Sequence, residues 1–211
     1  MRRYTMTDGK SFKNWFENVF WYHYKWWFLA AVFVVALVVF IAVEAAGNEK
    51  YDMTVIFAQN GGITEEQANI VLDAISDSVG DLNGDGEIKL NYASVDLTAE
   101  DGSMNGQNVT MQDRLLLYMT DEECALFFLE QDISSVYTSM GYFEDKLTDH
   151  GIEASEEDPC RVYVSGTKAF SDAGLSGMEY YALIIDWTTV GKGSAERTDA
   201  AVNAIKALLN D

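Results

Sequence analysis

Proline is nearly missing from this chain: Pro159 is the only one in 211 residues. No Ser/Gly-rich or repeated stretch accompanies it, which excludes long linkers and solenoid repeats and argues against disorder. Basic residues are scarce and unevenly placed. Residues 1–25 hold five Lys/Arg against two Asp/Glu, a net +3, and the remainder holds nine against 32, a net −23. So acidic a segment repels nucleic acid and anionic headgroups, and both are discounted as its partners. Its surface suits cations and basic ligands, or serves solubility alone. Histidine is limited to His23 and His150, and no HExxH, GxSxG or GxGxxG occurs. Without these constellations the expectation is a protein that is not an enzyme.

One long apolar run is present. Trp26–Val43 reads WWFLAAVFVVALVVFIAV, eighteen residues without charge, Pro or Gly, twelve of them Leu, Ile, Phe or Val. As a helix it is about 27 Å long, close to the ~30 Å hydrocarbon core. No polar stripe at helical spacing interrupts it, as a soluble core helix would require. Residues 26–44 are therefore expected to span a lipid bilayer. Arg2, Arg3, Lys10, Lys13 and Lys25 precede the run and Glu44 and Glu49 follow it. The positive-inside rule then places residues 1–25 in the cytoplasm and residues 51–211 outside the cell membrane. Tyr22, Tyr24, Trp26 and Trp27 form an aromatic belt, with His23 inside it as an interface residue. Phe12, Trp15, Phe16, Val19 and Phe20 recur at helical spacing, an amphipathic collar or partner-binding helix. The rival to an anchor is a cleavable secretory signal ending near Ala45-Ala46; the apolar run exceeds the usual h-region.

Beyond the anchor, strand-like and helix-like periods alternate. YDMTVIFA (51–58) reads as a buried strand. Thr64 and Gln67 form a capping box opening a helix with Ala68, Val71, Leu72, Ile75 and Val79 on one face. Residues 87–97 read as a second strand. A polar loop over 99–108 precedes a helix carrying Met111, Leu115, Leu116 and Met119, and CALFFL (124–129) is a third strand. Residues 132–147 read as a helix interrupted at Gly141. Residues 161–164 and 180–187 are the last strands, and a helix striped by Ala201, Val202, Ile205, Leu208 and Leu209 closes the chain. Strands apolar on both faces, alternating with helices, predict an α/β domain with a mostly parallel sheet flanked by helices. The last two strands lack a helix between them and are free to pair antiparallel, which would make the sheet mixed.

The stretches YDMTVIFA, 64–79, IKLNYASVDL, MQDRLLLYM and ALFFLEQD follow one another in an order that resembles the first lobe of bacterial extracytoplasmic solute-binding proteins serving ABC transporters. The likeness covers residues 51–147. It implies a lobe of that fold and, from the family's role, binding of a small solute. Those proteins have two lobes where this chain has room for one, and no lipobox cysteine is present. The resemblance therefore supports a fold more than transport.

The sharpest local motif is Asp81-Leu-Asn83-Gly-Asp85-Gly86-Glu87-Ile88. Calcium takes six to eight oxygens, and a loop offering side-chain oxygens at positions 1, 3 and 5, glycine at 6 and a main-chain carbonyl at 7 supplies several from one turn. Asp81, Asn83, Asp85 and Glu87 are the candidate ligands of a structural Ca²⁺. Lys89 and Tyr92 stand where an EF-hand has its later ligands, so Asp73, Asp77 or Asp96 would have to complete the shell. The alternative is a plain Asn/Asp/Gly turn between helix and strand. Cys124 and Cys160 form either a disulfide, in an oxidising compartment, or two buried thiols. Gly191-Lys192-Gly193-Ser194 before the last helix could seat an anion or simply cap a turn. His150, in an apparent loop, is expected to face solvent. The function expected from all this is a membrane-tethered extracytoplasmic domain binding a small ligand or an envelope protein. The alternative is a structural subunit of an envelope complex.

Overall fold

The computed structural model describes residues 21–47, 50–98, 106–154, 158–191 and 195–211. The chain forms two units, Met1–Glu49 and Lys50–Asp211. The first contains helix α1, Trp21–Gly47, 27 residues long. Its stretch Tyr24–Ile41 is apolar enough to cross a membrane, and none of it is buried by protein. It is a candidate anchor or signal. The helix runs beyond the expected 26–44 at both ends, because the aromatic lead-in and the trailing alanines carry no helix breaker. The amphipathic segment Phe12–Phe20 lies outside the described residues.

The second unit is an α/β domain around a mixed five-stranded sheet of order β2-β1-β3-β5-β4. Its strands are β1 Met53–Gln59, β2 Leu90–Asp96, β3 Leu126–Glu130, β4 Val162–Tyr163 and β5 Tyr180–Ile184. β1 pairs in parallel with both β2 and β3. β5 runs antiparallel to β3 and to β4. The sheet is thus parallel at its centre and antiparallel at one side; a short helix, Lys168–Asp172, does lie between β4 and β5, contrary to expectation, yet the two strands still pair antiparallel.

Helices α2 (Glu65–Val79) and α3 (Gly106–Tyr118) follow β1 and β2. The first crossover steps from β1 to one side and the second returns over β1 to β3. Right-handed crossovers therefore put α2 and α3 on opposite faces. α2 packs on α7 (Ala195–Asn210) and on the short α5 (Lys168–Asp172). On that face Phe57, Phe128, Phe170 and Tyr180 pack ring to ring, with centroids 5.2–5.3 Å apart. On the other face Phe127 meets Phe143 edge-on at 5.5 Å. Every residue of β1 is buried, as a central strand covered on both faces must be. This core lies wholly within Lys50–Asp211.

The expected capping box is present: Gln67 N–H donates to Thr64 Oγ1 and Thr64 N–H to Gln67 Oε1. Three expectations shift. β2 begins at Leu90 instead of 87, because the preceding residues are held in a turn. α4 (Gln131–Thr138) ends well before 147. Gly141 takes φ 73, a left-handed conformation that stops the helix, and Phe143 then bridges to Ile185. A 3-10 helix, Leu147–His150, follows. β5 ends at Ile184, since Asp186 caps α6 (Trp187–Val190) by accepting from Thr188 N–H.

Candidate functional site

The turn at 81–87 is closed by its own side chains. Asp81 accepts from Gly84 N–H at 2.6 Å and Gly86 N–H at 2.8 Å, Asn83 from Asp85 N–H, and Asp85 from Glu87 N–H. Gly84 and Gly86 adopt φ 76 and 86, which the turn requires and a side chain would strain. The N–H of Gly86, opposed by desolvation and helped by the N–H groups of Gly84, Asp85 and Asn83, holds the Asp81 carboxyl below its ordinary range. Glu87 is also lowered, by its hydrogen bond and ion pair with Lys89 at 2.6 Å. Sequence reasoning missed the residue underneath. Asp52 is fully buried and its carboxylate accepts from Leu82, Asn83 and Lys89 N–H at 2.7–3.0 Å.

The turn meets part of the requirement for calcium. A carboxylate or amide oxygen that accepts one N–H keeps a second lone pair, so the hydrogen bonds orient these oxygens without exhausting them. Among the described residues, however, no group of three or more His, Cys, Asp or Glu is placed to hold a metal ion. Asp96, one candidate for completing the shell, is engaged elsewhere, accepting from Gly61 and Thr98 N–H.

At the carboxyl ends of the parallel strands the fold makes a topological switch, where β1 lies between β2 and β3. Ligands of open α/β sheets bind outside such a point. Here the loop after β1 is stapled on both sides. Glu130 of β3 accepts from Asn60 N–H at 2.9 Å and from its side-chain amide, while Asp96 of β2 accepts from Gly61 N–H at 2.8 Å. Gln59 donates its amide to the Gly62 carbonyl, and its buried Oε1 has no partner among the described residues. The register sets Asp96 beside Gln59 and Glu130 beside Tyr180, whose buried hydroxyl is also unpartnered among the described residues. Burial, and then the Glu130 charge, push the Tyr180 phenol well above its ordinary range.

A true concavity lies at the opposite edge of the sheet, beside β4. It encloses about 940 Å³ and is bordered by Ile152–Ala154, by Arg161 and Tyr163 of the β4 segment, by Tyr181 of β5, and by Lys206 and Asn210 of α7. Arg161 is fixed. Its guanidinium stacks 4.3 Å from the Tyr181 ring centre, pairs with Asp158, and donates to Ser134 Oγ and the Gln131 carbonyl. Such a stack contributes about 0.5–1 kcal/mol. Tyr163 meets Tyr181 edge-on at 5.8 Å. Gly151, on its rim, takes φ 73, a conformation that a side chain would strain, although a Cβ there would make only ordinary contact with Lys206 Nζ at 3.5 Å. The groove thus presents ammonium, guanidinium and amide donors, carboxylate acceptors and two aromatic rings. It can hold a polar ligand or a peptide.

These residues are scattered over 151–210, and no spacing in the sequence links them; Arg161 inside an acidic chain was the only available signal. Other expectations resolve singly. Cys124 and Cys160 are free thiols, not a disulfide. Burial first, then neighbouring carboxylates, raise them to about 12 and about 11. His150 is half-buried and lies 3.6 Å from Glu144, so it does not simply face solvent. Residues 192–194 lie outside the described residues. No family model, curated protein or solved structure matches this chain.

Proposed function

We propose that this protein is a membrane-tethered, non-enzymatic binding domain, with the groove beside β4 as its ligand seat. In this proposal α1 is an uncleaved anchor, residues 1–25 are cytoplasmic, and Lys50–Asp211 is extracytoplasmic. The carrying observation is the groove itself: about 940 Å³, walled by a fixed Arg161, a Lys206 ammonium and two tyrosines. Large concavities with a few convergent polar groups are the usual form of binding sites. The likeness to one lobe of solute-binding proteins belongs to the same proposal, as does a structural calcium ion on Asp81, Asn83, Asp85 and Glu87. The ligand is a small solute or a neighbouring envelope protein.

Two measurements test it. Protease added to intact spheroplasts should remove the acidic domain and spare residues 1–25; protection of the domain would reverse the topology. The fragment 50–211, which holds its whole core, should melt at a higher temperature with one member of a panel of small solutes or with a purified envelope protein. Arg161→Ala should abolish that rise, and its ligand-free melt should itself lie lower, since the substitution strands Asp158 and Ser134 Oγ. A melt that nothing moves would reject the binding reading.

A second reading, a structural subunit of an envelope complex, is favoured by the open sheet edge at β4. Deleting residues 11–20 should then disrupt the assembled complex and leave the melt of the acidic domain unchanged. Intact assembly would reject it.

A further inference from the structure

We propose that the outer edge of β4 docks an extended, cationic segment of a partner protein, which adds to the sheet as a sixth strand. This rests on the binding reading above and names the kind of partner that the groove takes. The sheet order ends at β4, so no further strand covers that edge among the described residues. Val164 N–H donates to the Tyr180 carbonyl at 3.0 Å. In an antiparallel ladder the residues that face the neighbouring strand alternate, so Val162 also faces β5 and Tyr163 does not. The Tyr163 N–H and C=O therefore point outward. No bond from outside the ladder reaches either of them among the described residues.

Exposed edges of this kind are normally blunted by proline, lysine or a covering element, because their free donors and acceptors recruit strands. β4 is itself only two residues long, which is another such device, but it carries no proline or lysine and no strand covers it among the described residues. It is flanked instead by concavities on both sides of Tyr163, about 940 and about 670 Å³. Tyr163 is 47% exposed and leans on Tyr181, giving an incoming strand an aromatic ledge beside the backbone ladder. Such sheet addition takes its affinity from main-chain hydrogen bonds and its selectivity from side-chain pockets.

Charge chooses among occupants. Lys50–Asp211 carries nine Lys/Arg against 30 Asp/Glu, a net −21. The linings of the two concavities are close to balanced, Arg161, Lys206 and Lys168 against Glu153, Asp158, Asp172 and Asp211, so the bias toward a cation comes from the field of the whole domain. A second copy of the chain would bring the same −21 to the edge and be repelled, whereas a Lys/Arg-bearing segment is steered in and held.

The test titrates ¹⁵N-labelled 50–211 with acetyl-Lys-Val-Lys-Val-Lys-amide. Two controls are the acidic Glu-Val-Glu-Val-Glu analogue and the cationic peptide N-methylated at alternate residues. The cationic peptide should shift the amide signals of residues 161–164, slow hydrogen exchange at Tyr163, and bind at least tenfold tighter than either control. Tyr163→Pro removes the outward donor together with the ring and should abolish binding; a melt confirms its fold, and Tyr163→Thr, which removes the ring but keeps the donor, should retain the exchange protection. Absence of shifts at 161–164 up to millimolar peptide, or equal binding of the N-methylated peptide, overturns the proposal. So does self-association of the fragment that protects Tyr163 without peptide, which would name a second copy as the occupant. A solute that raises the melt through Arg161 while the peptide fails would overturn this inference and leave the binding reading standing.

Discussion

Asp52 and Lys89 grip each other twice: Asp52 N–H donates to the Lys89 carbonyl at 2.8 Å, and Lys89 N–H donates back to Asp52 Oδ2 at 2.7 Å. The first bond extends the β1–β2 ladder by one step, and the second ties the end of the 81–87 turn to the start of β1. With Oδ1 taking Leu82 and Asn83 N–H, one buried carboxylate fixes both ends of the turn.

Substituting Asp52 should therefore unfold the domain more readily than any change at the exposed acids of the turn. Asp52→Ala strands three N–H groups and should cost about 2–4 kcal/mol, since each unsatisfied donor costs about 1–3 kcal/mol and part is recovered by water. Asp52→Asn keeps one acceptor oxygen and should cost roughly half as much. Urea denaturation of the 50–211 fragment measures both. Equal midpoints for Asp52→Ala and wild type would show that the carboxylate does not organise the turn.

Calcium gives the turn a second, separable test. With a dissociation constant of about 1 mM, 10 mM calcium should stabilise the fold by about 1.4 kcal/mol and raise Tm by about 3 °C over chelator. Asp81→Asn or Asp85→Asn should remove the rise. Magnesium, which demands tight octahedral geometry, should reproduce little of it. Identical melts in calcium and chelator would leave the turn as a self-capped connection.

How much of this was legible beforehand follows the range of each interaction. The capping box at Thr64–Gln67, the buried β1 and the closing helix all appear where local pattern placed them, because each depends on neighbours a few residues away. The role of Asp52 was not legible: it falls inside the expected strand 51–58, but its three partners are 30–37 residues distant and no local pattern points to them. The groove was invisible for the same reason, since Arg161, Tyr181 and Lys206 meet only after β4 and β5 pair and α7 docks. The 132–147 segment is the converse case: its expected interruption at Gly141 is present, but the helical period does not resume beyond it, because Phe143 pairs with Ile185.

Acid should weaken the fold in a defined window. Asp81 is held low by Gly86 N–H and its neighbours. Asp96 and Asp186 are raised by burial but lowered more by the Thr98 and Thr188 hydrogen bonds. All three titrate below their unfolded value near ~3.9, so the unfolded chain binds protons first. Their stabilisation is complete above about pH 5 and is lost as pH falls through about 4 toward the folded values. Glu144 acts oppositely. Burial and Asp186 raise it, against the pull of His150, so its contribution grows as pH falls toward its unfolded value of about 4.3. Urea midpoints from pH 7 to pH 3 should rise slightly and then drop, and Glu144→Gln should remove the rise only. A monotonic profile unchanged by Glu144→Gln would contradict this assignment.

Tyr180 gives the least expected outcome. It is a fully buried, large aromatic residue, and truncating such a side chain normally costs about 3–5 kcal/mol. Its ring packs 5.3 Å from Phe170, and Tyr180→Ala should follow that rule. The hydroxyl is different: it is buried without a partner among the described residues and lies in the field of the Glu130 carboxylate. An unpaired buried hydroxyl has lost its hydration and gained nothing in return. Tyr180→Phe removes that group and keeps the ring, so it should leave stability unchanged or raise it by up to about 1 kcal/mol. A loss above about 1 kcal/mol would instead reveal an ordered water bridging the hydroxyl to its neighbours, since deleting the hydroxyl would then break real hydrogen bonds. Running Gln59→Leu, which leaves the Gly62 carbonyl without its donor, beside Tyr180→Phe separates the two orphaned atoms. Additive effects would mean separate sites, and strong coupling would mean that one water or ligand group serves both.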